Sequence, residues 1–436
     1  MAQKAGFGGT TLTTVAAIAA MTIAIVMEVL DGFPVSPSPT QQSFTSEQFV
    51  ADFEAMWTSL RDNYAYLDKK QTDWNKVREI YRPRLKELKG RDEFVTLLEN
   101  TLDELYDNHL SLNTNLNTSS RLIPTGLDVW AEWIHGRPIV TQLRSGFSAE
   151  QAGIKVGMEI VSVNGVPIKD AVARRLPKSL KKIDDEAKNW ALRAVLAGTH
   201  DQGRVIGARG TRGSAAVYRL DLPGQMTVDA YEYIPKVEWK MLPGQVGYIK
   251  INDLISDQIV AQFDFALEKA RESRGMILDL RDIPRGGNTD VAEPILGRFI
   301  DRQVGYQQVV PLRAPAYVRL VSPRGPWTYT APLVVLVNRW TGSMGEGMTI
   351  GLDGMRRALV VGTPMAGLNG GVFNLVLPNT KIVVGYPGER LNHVNGIPRE
   401  TFVPPVRVNL PDGQAQTRDL IFEAGYERLT KVIEHR

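Results

Sequence analysis

A multidomain α/β protein (α+β in its domain arrangement) is predicted by three stretches of the 436-residue sequence. Between Thr45 and Asp107 apolar residues recur at helical spacing. From Pro124 short strand-like runs are punctuated by an Asn-Gly turn signal. From Gln245 apolar runs of strand length alternate with helical segments, the arrangement of an α/β core with some parallel pairing. The length suits about two to four domains. The expected division is 1–40, a leading segment and linker; 41–121, a helical domain; 122–225, a small β-domain; and 226–436, the core.

At the amino terminus, Lys4 precedes an apolar run from Leu12 to Met27 that Glu28 ends. A cation followed by such a run is the layout of an export signal or signal anchor. A signal core has about 7–15 apolar residues and a spanning helix about 20, so this run falls between them. Ala17-Ile18-Ala19 lies inside the run, too early for an ordinary cleavage site. The expectation is an uncleaved membrane anchor with the rest of the chain in the cell envelope, facing the periplasm. A secreted protein with a cleaved signal and a buried helix are the alternatives.

Phe49, Phe53, Met56, Trp57 and Leu60 predict a first helix capped by Thr45 or Ser46. Trp74, Val77, Ile80 and Tyr81 predict a second after Asp73, ended or kinked by Pro83. Phe94, Leu97, Leu98, Leu102 and Leu105 predict a third, capped by Asp92. In the β-domain, Gly126–Val129, Ile139-Val140, Glu159–Val163 before Asn164-Gly165, and Val217–Leu222 read as strands. In the core, Val246–Ile251, Gly275–Leu280 and Leu333–Val337 have the length of buried strands, with helices over Ile259–Ala270 and Gly345–Met355.

Composition narrows the chemistry. Lys and Arg number 51 and Asp and Glu 48, a net charge of +3, and no basic stripe accompanies the scattered Trp residues, so nucleic acid is not an expected partner. Cys is absent, which removes a thiol nucleophile, a cysteinyl zinc site and a disulfide framework. There is no P-loop, no His-Glu-x-x-His and no dinucleotide fingerprint. No metal or cofactor is expected. The five histidines are His109, His135, His200, His393 and His435.

Two strand ends carry candidate chemistry. Leu333–Val337 runs into a tight turn, and a helix opens at about Ser343. A serine there has an exposed Oγ beside N–H dipoles that favour developing negative charge. The arrangement follows the logic of a nucleophile elbow, although Thr341 stands where the hydrolase pattern has its first glycine. Read alone, Ser343 is only a helix cap, since caps greatly outnumber nucleophiles. Gly275–Leu280 leads to Gly286-Gly287, where backbone amides can approach a ligand closely. A plain strand-to-helix turn uses the same glycines.

The run Ser148–Gly157 followed by Glu159–Gly165 resembles the PDZ domain of bacterial processing proteases, with Met158 where that family usually has Asp. The resemblance implies a domain that adds an extended peptide end to a sheet edge, with Gly126-Leu127 as the carboxylate-binding turn; a spacer role is the plainer alternative. Gly275–Gly287, Val335–Glu346, Arg357–Gly367, Gly396–Val403 and the segment ending Asp107-Asn108-His109 together resemble the tail-specific, or C-terminal processing, serine peptidase family, in order from about residue 45 to 410. The resemblance implies a ClpP/crotonase-like catalytic core, a polypeptide substrate, Ser343 as nucleophile, and Gly286 or Gly287 with Met344 as oxyanion donors. Many members use a lysine in a Gly-Lys-Gly turn. Here the turn reads Gly367-Leu368-Asn369-Gly370, so no lysine stands there.

The tricorn-like branch of the family uses histidine from an Asp-x-His motif instead, which implies His109 as the base. The third member is expected to be Glu400, with Glu389 and His393 as alternatives. Glu346 is expected to act as a charge at a helix N-terminus rather than as an acid. The rival expectation is a degenerate member that keeps the fold as a peptide-binding scaffold. A lipid-binding role is a remoter third.

Overall fold

The computed structural model describes residues 43–210, 213–229, 235–410 and 418–435. The expected anchor lies outside the described residues. Among them, no helix is long and apolar enough to cross a membrane.

Helix α1 (Ser46–Asn63) begins at Thr45, whose hydroxyl accepts from the Gln48 N–H while Gln48 returns its side chain to the Thr45 N–H. This reciprocal box satisfies two otherwise orphaned donors. Helix α2 (Trp74–Tyr81) is capped by Asp73 and ends two residues before Pro83, where a 3₁₀ segment, Arg82–Glu87, takes over. Helix α3 (Arg91–Asp103) starts two residues earlier than Asp92 allows as a cap: Gly90 takes that place and Asp92 lies in the first turn. Phe49, Phe53, Met56, Leu60, Val77, Phe94 and Leu98 are buried between the three helices. A two-residue strand, β1 (Ser111–Leu112), follows.

The region from 122 to 225 forms an antiparallel sheet in the order β2-β3-β4-β6-β7. The strands are β2 (Val129–Ile134), β3 (Arg137–Leu143), β4 (Glu159–Val163), β5 (Val166–Pro167, on the side of β4), β6 (Val205–Arg209) and β7 (Ala216–Arg219). Helix α4 (Ser148–Gln151) is a single turn. Helices α5 (Ile168–Arg175) and α6 (Asp185–Ala197) were not expected from the sequence. Arg204 is buried and ties this unit together through Asp128 at 2.6 Å and Asp221 at 2.8 Å.

The core begins with β8 (Val237–Leu242) and β9 (Val246–Ile251), then α7 (Gln258–Lys269), β10 (Gly275–Asp279) and α8 (Thr289–Leu296). It continues through β11 (Val304–Pro311), β12 (Tyr317–Val321), β13 (Leu333–Val337), α9 (Met344–Gly354) and β14 (Leu359–Gly362). It closes with β15 (Gly371–Val376), β16 (Val383–Asn392), β17 (Val406–Arg407) and α10 (Leu420–Glu434). One sheet runs β17-β14-β13-β10-β9-β8, parallel except for β8 against β9. Every residue of β10 and β13 is buried, as an apolar run covered on both faces requires. Helices α7, α8 and α9 contribute to the core on one face, and α10 to the core on the other.

A second core sheet is antiparallel, β1-β16-β11-β12 with β15 beside β16, and nothing in the sequence reading anticipated it. It joins the helical segment to the core. Leu377, Ile382, Val384 and Tyr386 share one apolar cluster with α1–α3, and β1 pairs with β16 at Ser111↔Gly385. That pairing brings the chain two residues after His109 onto the core.

Candidate active site

Parallel pairing of β10 with β13, Asp279 opposite Leu336, sets the carboxyl ends of both strands side by side. In such sheets, ligands bind where the strands end. Beyond β13 the turn Asn338–Gly342 leads to Ser343, the N-cap of α9. Ser343 has φ 50° and ψ −112°, a conformation that L-residues rarely adopt. Beyond β10 the chain reaches Gly286 (φ 69°) and Gly287 (φ 151°). A methyl group added at Gly286 would lie 2.3 Å from Ser343 Cβ and 2.8 Å from both its Oγ and the Met344 nitrogen. The glycine is therefore needed for this approach, and it brings the two strand ends together.

His109 reaches the same point from the other side. Its Nε2 is 3.0 Å from Ser343 Oγ, and its Nδ1 is 2.5 Å from the Asn369 carbonyl oxygen. A carbonyl can only accept, so Nδ1 carries the proton and Nε2 is left as the acceptor facing the serine hydroxyl. Burial and the nearby Arg399 charge push His109 down to about 4, against the opposing effects of the Asn369 carbonyl and Asp107. The imidazole is thus neutral at pH 7.

Asp107 organises the approach. Its Oδ1 accepts the His109 N–H at 2.9 Å, and its Oδ2 accepts the Tyr64 hydroxyl at 2.6 Å and the Asn369 side-chain N–H at 2.9 Å. Burial and this carboxylate hold the Tyr64 hydroxyl well above its ordinary pKa, so it remains a donor. The strap 367–370 is held on both sides. Glu346 Oε1 accepts the Gly367 N–H at 2.9 Å, and its Oε2 accepts those of Ser343 at 2.8 Å and Leu368 at 3.2 Å. Arg399 Nη2 donates to the carbonyls of Leu368 at 3.0 Å and Gly370 at 2.7 Å.

Ser343, His109, Gly286, Gly287 and Met344 therefore converge, while other expected residues do not meet the imidazole. The Asn369 carbonyl stands where Glu400 was expected. Glu400 lies alongside the strap, its backbone oxygen 3.3 Å from a methyl built at Gly367, and its buried Oε2 has no hydrogen-bond partner among the described residues. Glu389 is in β16. His393 pairs with Asp353 at 3.2 Å, near the C-terminal end of α9, and stacks on Phe402. Its place is thereby explained as packing at the end of α9 away from Ser343.

Among the expected oxyanion donors, the Gly286 N–H is engaged by the Ile283 carbonyl at 3.2 Å. The N–H groups of Gly287 and Met344 have no such partner among the described residues. The expected carboxylate-binding turn is also occupied. The Gly126 N–H donates to Leu122 at 2.5 Å and the Leu127 N–H to Pro124 at 3.2 Å. The Leu127 carbonyl accepts the Trp340 indole N–H at 2.6 Å.

Sequence reasoning missed the parts played by Asn369, Arg399 and Tyr64. Asn369 acts through its main chain, which no side-chain pattern reports. Asp107 was visible as the first residue of Asp-x-His. Glu346 was visible only as a helix-start acid.

A serine hydroxyl facing a neutral imidazole nitrogen, beside free N–H groups at a helix start, is equipped for acyl transfer. Comparisons with known proteins agree with that chemistry. Residues 245–399 match Peptidase family S41, and residues 46–103 match the Tricorn protease C1 domain. The chain is 28% identical over 357 residues to a carboxyl-terminal-processing protease of Synechocystis sp., covering 74% of this chain and 72% of the relative. It is 26% identical over 337 residues to a chloroplastic C-terminal processing peptidase of Tetradesmus obliquus, covering 74% and 68%. Its fold is similar to that of mature CPAF complexed with lactacystin, with a TM-score of 0.56 at 17% identity over 89% of this chain and 98% of that one. It is also similar to that of the photosystem II D1 C-terminal processing protease, with a TM-score of 0.53 at 19% identity over 88% and 97%. With an S41 match over its core and C-terminal processing peptidases among its relatives, the chain is a serine-type peptidase, a hydrolase of peptide bonds.

Proposed function

We propose that the protein is an endopeptidase of the C-terminal processing kind in which Ser343 is the nucleophile and His109 its base, acting on exported or envelope polypeptides. The observation that carries this reading is the 3.0 Å approach of Ser343 Oγ to His109 Nε2 while Nδ1 donates to Asn369. The Ser343 oxygen attacks the scissile carbonyl carbon and its proton passes to His109 Nε2. The Met344 and Gly287 N–H groups receive the oxyanion. Collapse breaks the C–N bond, and Nε2 returns its proton to the departing amine. Water then gives a proton to Nε2 as its oxygen attacks the acyl-enzyme, and on collapse the C–Oγ bond breaks while Nε2 passes that proton to Ser343 Oγ, releasing the new carboxyl terminus. A main-chain carbonyl here does for the imidazole what a carboxylate does in a Ser-His-Asp triad: it fixes ring and tautomer.

The β-domain, in this reading, is PDZ-like and receives a peptide terminus. Capture at Gly126-Leu127 requires those two N–H groups to leave their internal acceptors. The Trp340 bond to Leu127 connects any such opening to the turn three residues before Ser343, which suits a gate on access. The leading segment anchors the protein to the membrane in the same proposal.

Cleavage of an unfolded protein by the wild type, with Ser343→Ala and His109→Ala each reduced at least ~10³-fold, is the expected result. Wild-type cleavage by Ser343→Ala would overturn the assignment. Labelling of Ser343 by a fluorophosphonate is expected in the wild type and strongly slowed in His109→Ala.

A further inference from the structure

We propose that Glu346 is a positioning residue whose carboxylate clamps the nucleophile's peptide group to the 367–370 strap, so that the strap presents the Asn369 carbonyl to His109. The inference rests on Ser343 and His109 being the reacting pair, and it adds what sets their alignment. A glutamate that only caps a helix needs one bond, to the N-cap N–H. Glu346 makes that bond to Ser343 and two more, to N–H groups 21 and 22 residues further along the chain.

The strap's polar groups are divided without overlap. The N–H groups of Gly367 and Leu368 go to Glu346, the carbonyls of Leu368 and Gly370 go to Arg399, and the Asn369 side chain goes to Asp107. None of these takes the Asn369 carbonyl, which His109 Nδ1 meets at 2.5 Å. Two strap residues also need glycine: Gly367 has φ 73°, and a methyl at Gly370 would lie 1.9 Å from the Glu389 carbonyl oxygen. The strap therefore has little freedom to find other partners. One carboxylate thus sets both the nucleophile's peptide plane and the acceptor behind the base, and a misplacement of about 1 Å at such a site can cost about 100-fold in rate.

Glu346 is completely buried, and among the described residues no ion pair neutralises it. Burial pushes its carboxyl from 4.5 up to about 7, opposed by the Arg399 charge and by the three N–H donors. The other titratable groups around Glu346 and the strap are His109, Asp107, Tyr64, Tyr66, Glu389 and Glu400, with Arg399 and Arg339 as the cations. Protonation would turn one accepting oxygen towards an N–H as a hydroxyl and loosen the clamp. Because the folded-state value is raised, the native state binds more protons than the unfolded chain between about 4.5 and about 7, so this group's contribution to stability falls as pH rises through that window. The ionised form needed for alignment is the less stable one.

The test uses the purified full chain, an unfolded protein substrate, and pH values from about 5 to about 9. Wild-type activity is expected to fall as pH drops through about 7. Glu346→Gln should lower kcat by ~10–100-fold with KM within about twofold, and should lack that limb, leaving an acid dependence set by His109. Its Tm relative to wild type should rise between about pH 5 and about pH 8, while activity stays low. A Gln variant with wild-type kcat, or one that keeps the near-neutral limb, overturns the proposal. Should the Gln variant not fold, Glu346→Asp keeps the charge one methylene short; a loss of kcat of ~10-fold is expected, and wild-type kcat overturns the clamp. An inactive Ser343→Ala beside an unaffected Glu346→Gln removes only the clamp, whereas an active Ser343→Ala removes the reaction it serves.

Discussion

The side chain of Ser343 faces His109 because its backbone is held where few residues go. Positive φ at a non-glycine residue costs about 1–3 kcal/mol and persists only where the surroundings enforce it. Here the Glu346 bond to the Ser343 N–H and the contact with Gly286 enforce it. Gly286→Ala tests this at the smallest scale. The new methyl would sit 2.3 Å from Ser343 Cβ at a φ of 69°, so the two strand ends must part. Loss of kcat by ~100-fold or more is expected, with Tm lowered by only a few degrees, read from steady-state cleavage and thermal unfolding. Asn369→Ala is the contrasting case. It keeps the carbonyl that His109 uses and removes only the side-chain bond to Asp107. A loss of kcat of ~3–10-fold with unchanged KM is expected, well short of that from His109→Ala.

At the scale of elements, the β2–β7 sheet region holds both strand ends that build the site. Arg144, after β3, pairs with Asp282, after β10, at 2.6 Å, and the Arg144 side chain is 3% exposed. Trp340, after β13, is buried in the apolar cluster of that region. Asp282 keeps a longer contact with Lys250 at 3.6 Å, so Arg144→Ala should cost about 1–3 kcal/mol in urea unfolding and lower kcat as well, because Asp282 lies four residues before Gly286. Charge-conserving Arg144→Lys should recover part of the stability. These connections also explain what could be read in advance. The strands Val246–Ile251 and Leu333–Val337, helix α1 and the turn carrying Ser343 follow from apolar runs and local punctuation, and the sequence reports these directly. The antiparallel sheet does not announce itself this way. Strand β1 has two residues, β11 and β12 shift register between Gly305 and Gln307, and β15 joins β16 out of line. The pairings of β16 with β1 and with β11 join segments far apart in the chain, which no local pattern reports. The acceptor for His109 was hidden for a related reason: it is a peptide carbonyl, and Asn369 would supply it with any side chain.

Across the whole molecule, the proposed base and nucleophile are 234 residues apart and meet only if the α1–α3 segment docks on the antiparallel sheet. Apolar burial drives that docking, but one buried carboxylate fixes its alignment. Asp52 on α1 is fully buried and accepts from the Asn379 and Thr380 N–H groups at 2.8 Å each and from the Thr380 hydroxyl at 2.6 Å. Asp52→Ala would strand those donors at a dry interface, at a cost of about 3–5 kcal/mol. If docking only stabilised the fold, the folded fraction of this variant would cleave at the wild-type rate. If docking also delivers His109 through the β1–β16 pairing, the folded fraction should itself be slow. The expected outcome is the second: at a temperature where circular dichroism finds the variant folded, kcat is reduced by ~10-fold or more and fluorophosphonate labelling of Ser343 slows in parallel. A folded Asp52→Ala variant with wild-type kcat would mean that β1 and β16 hold His109 without help from α1.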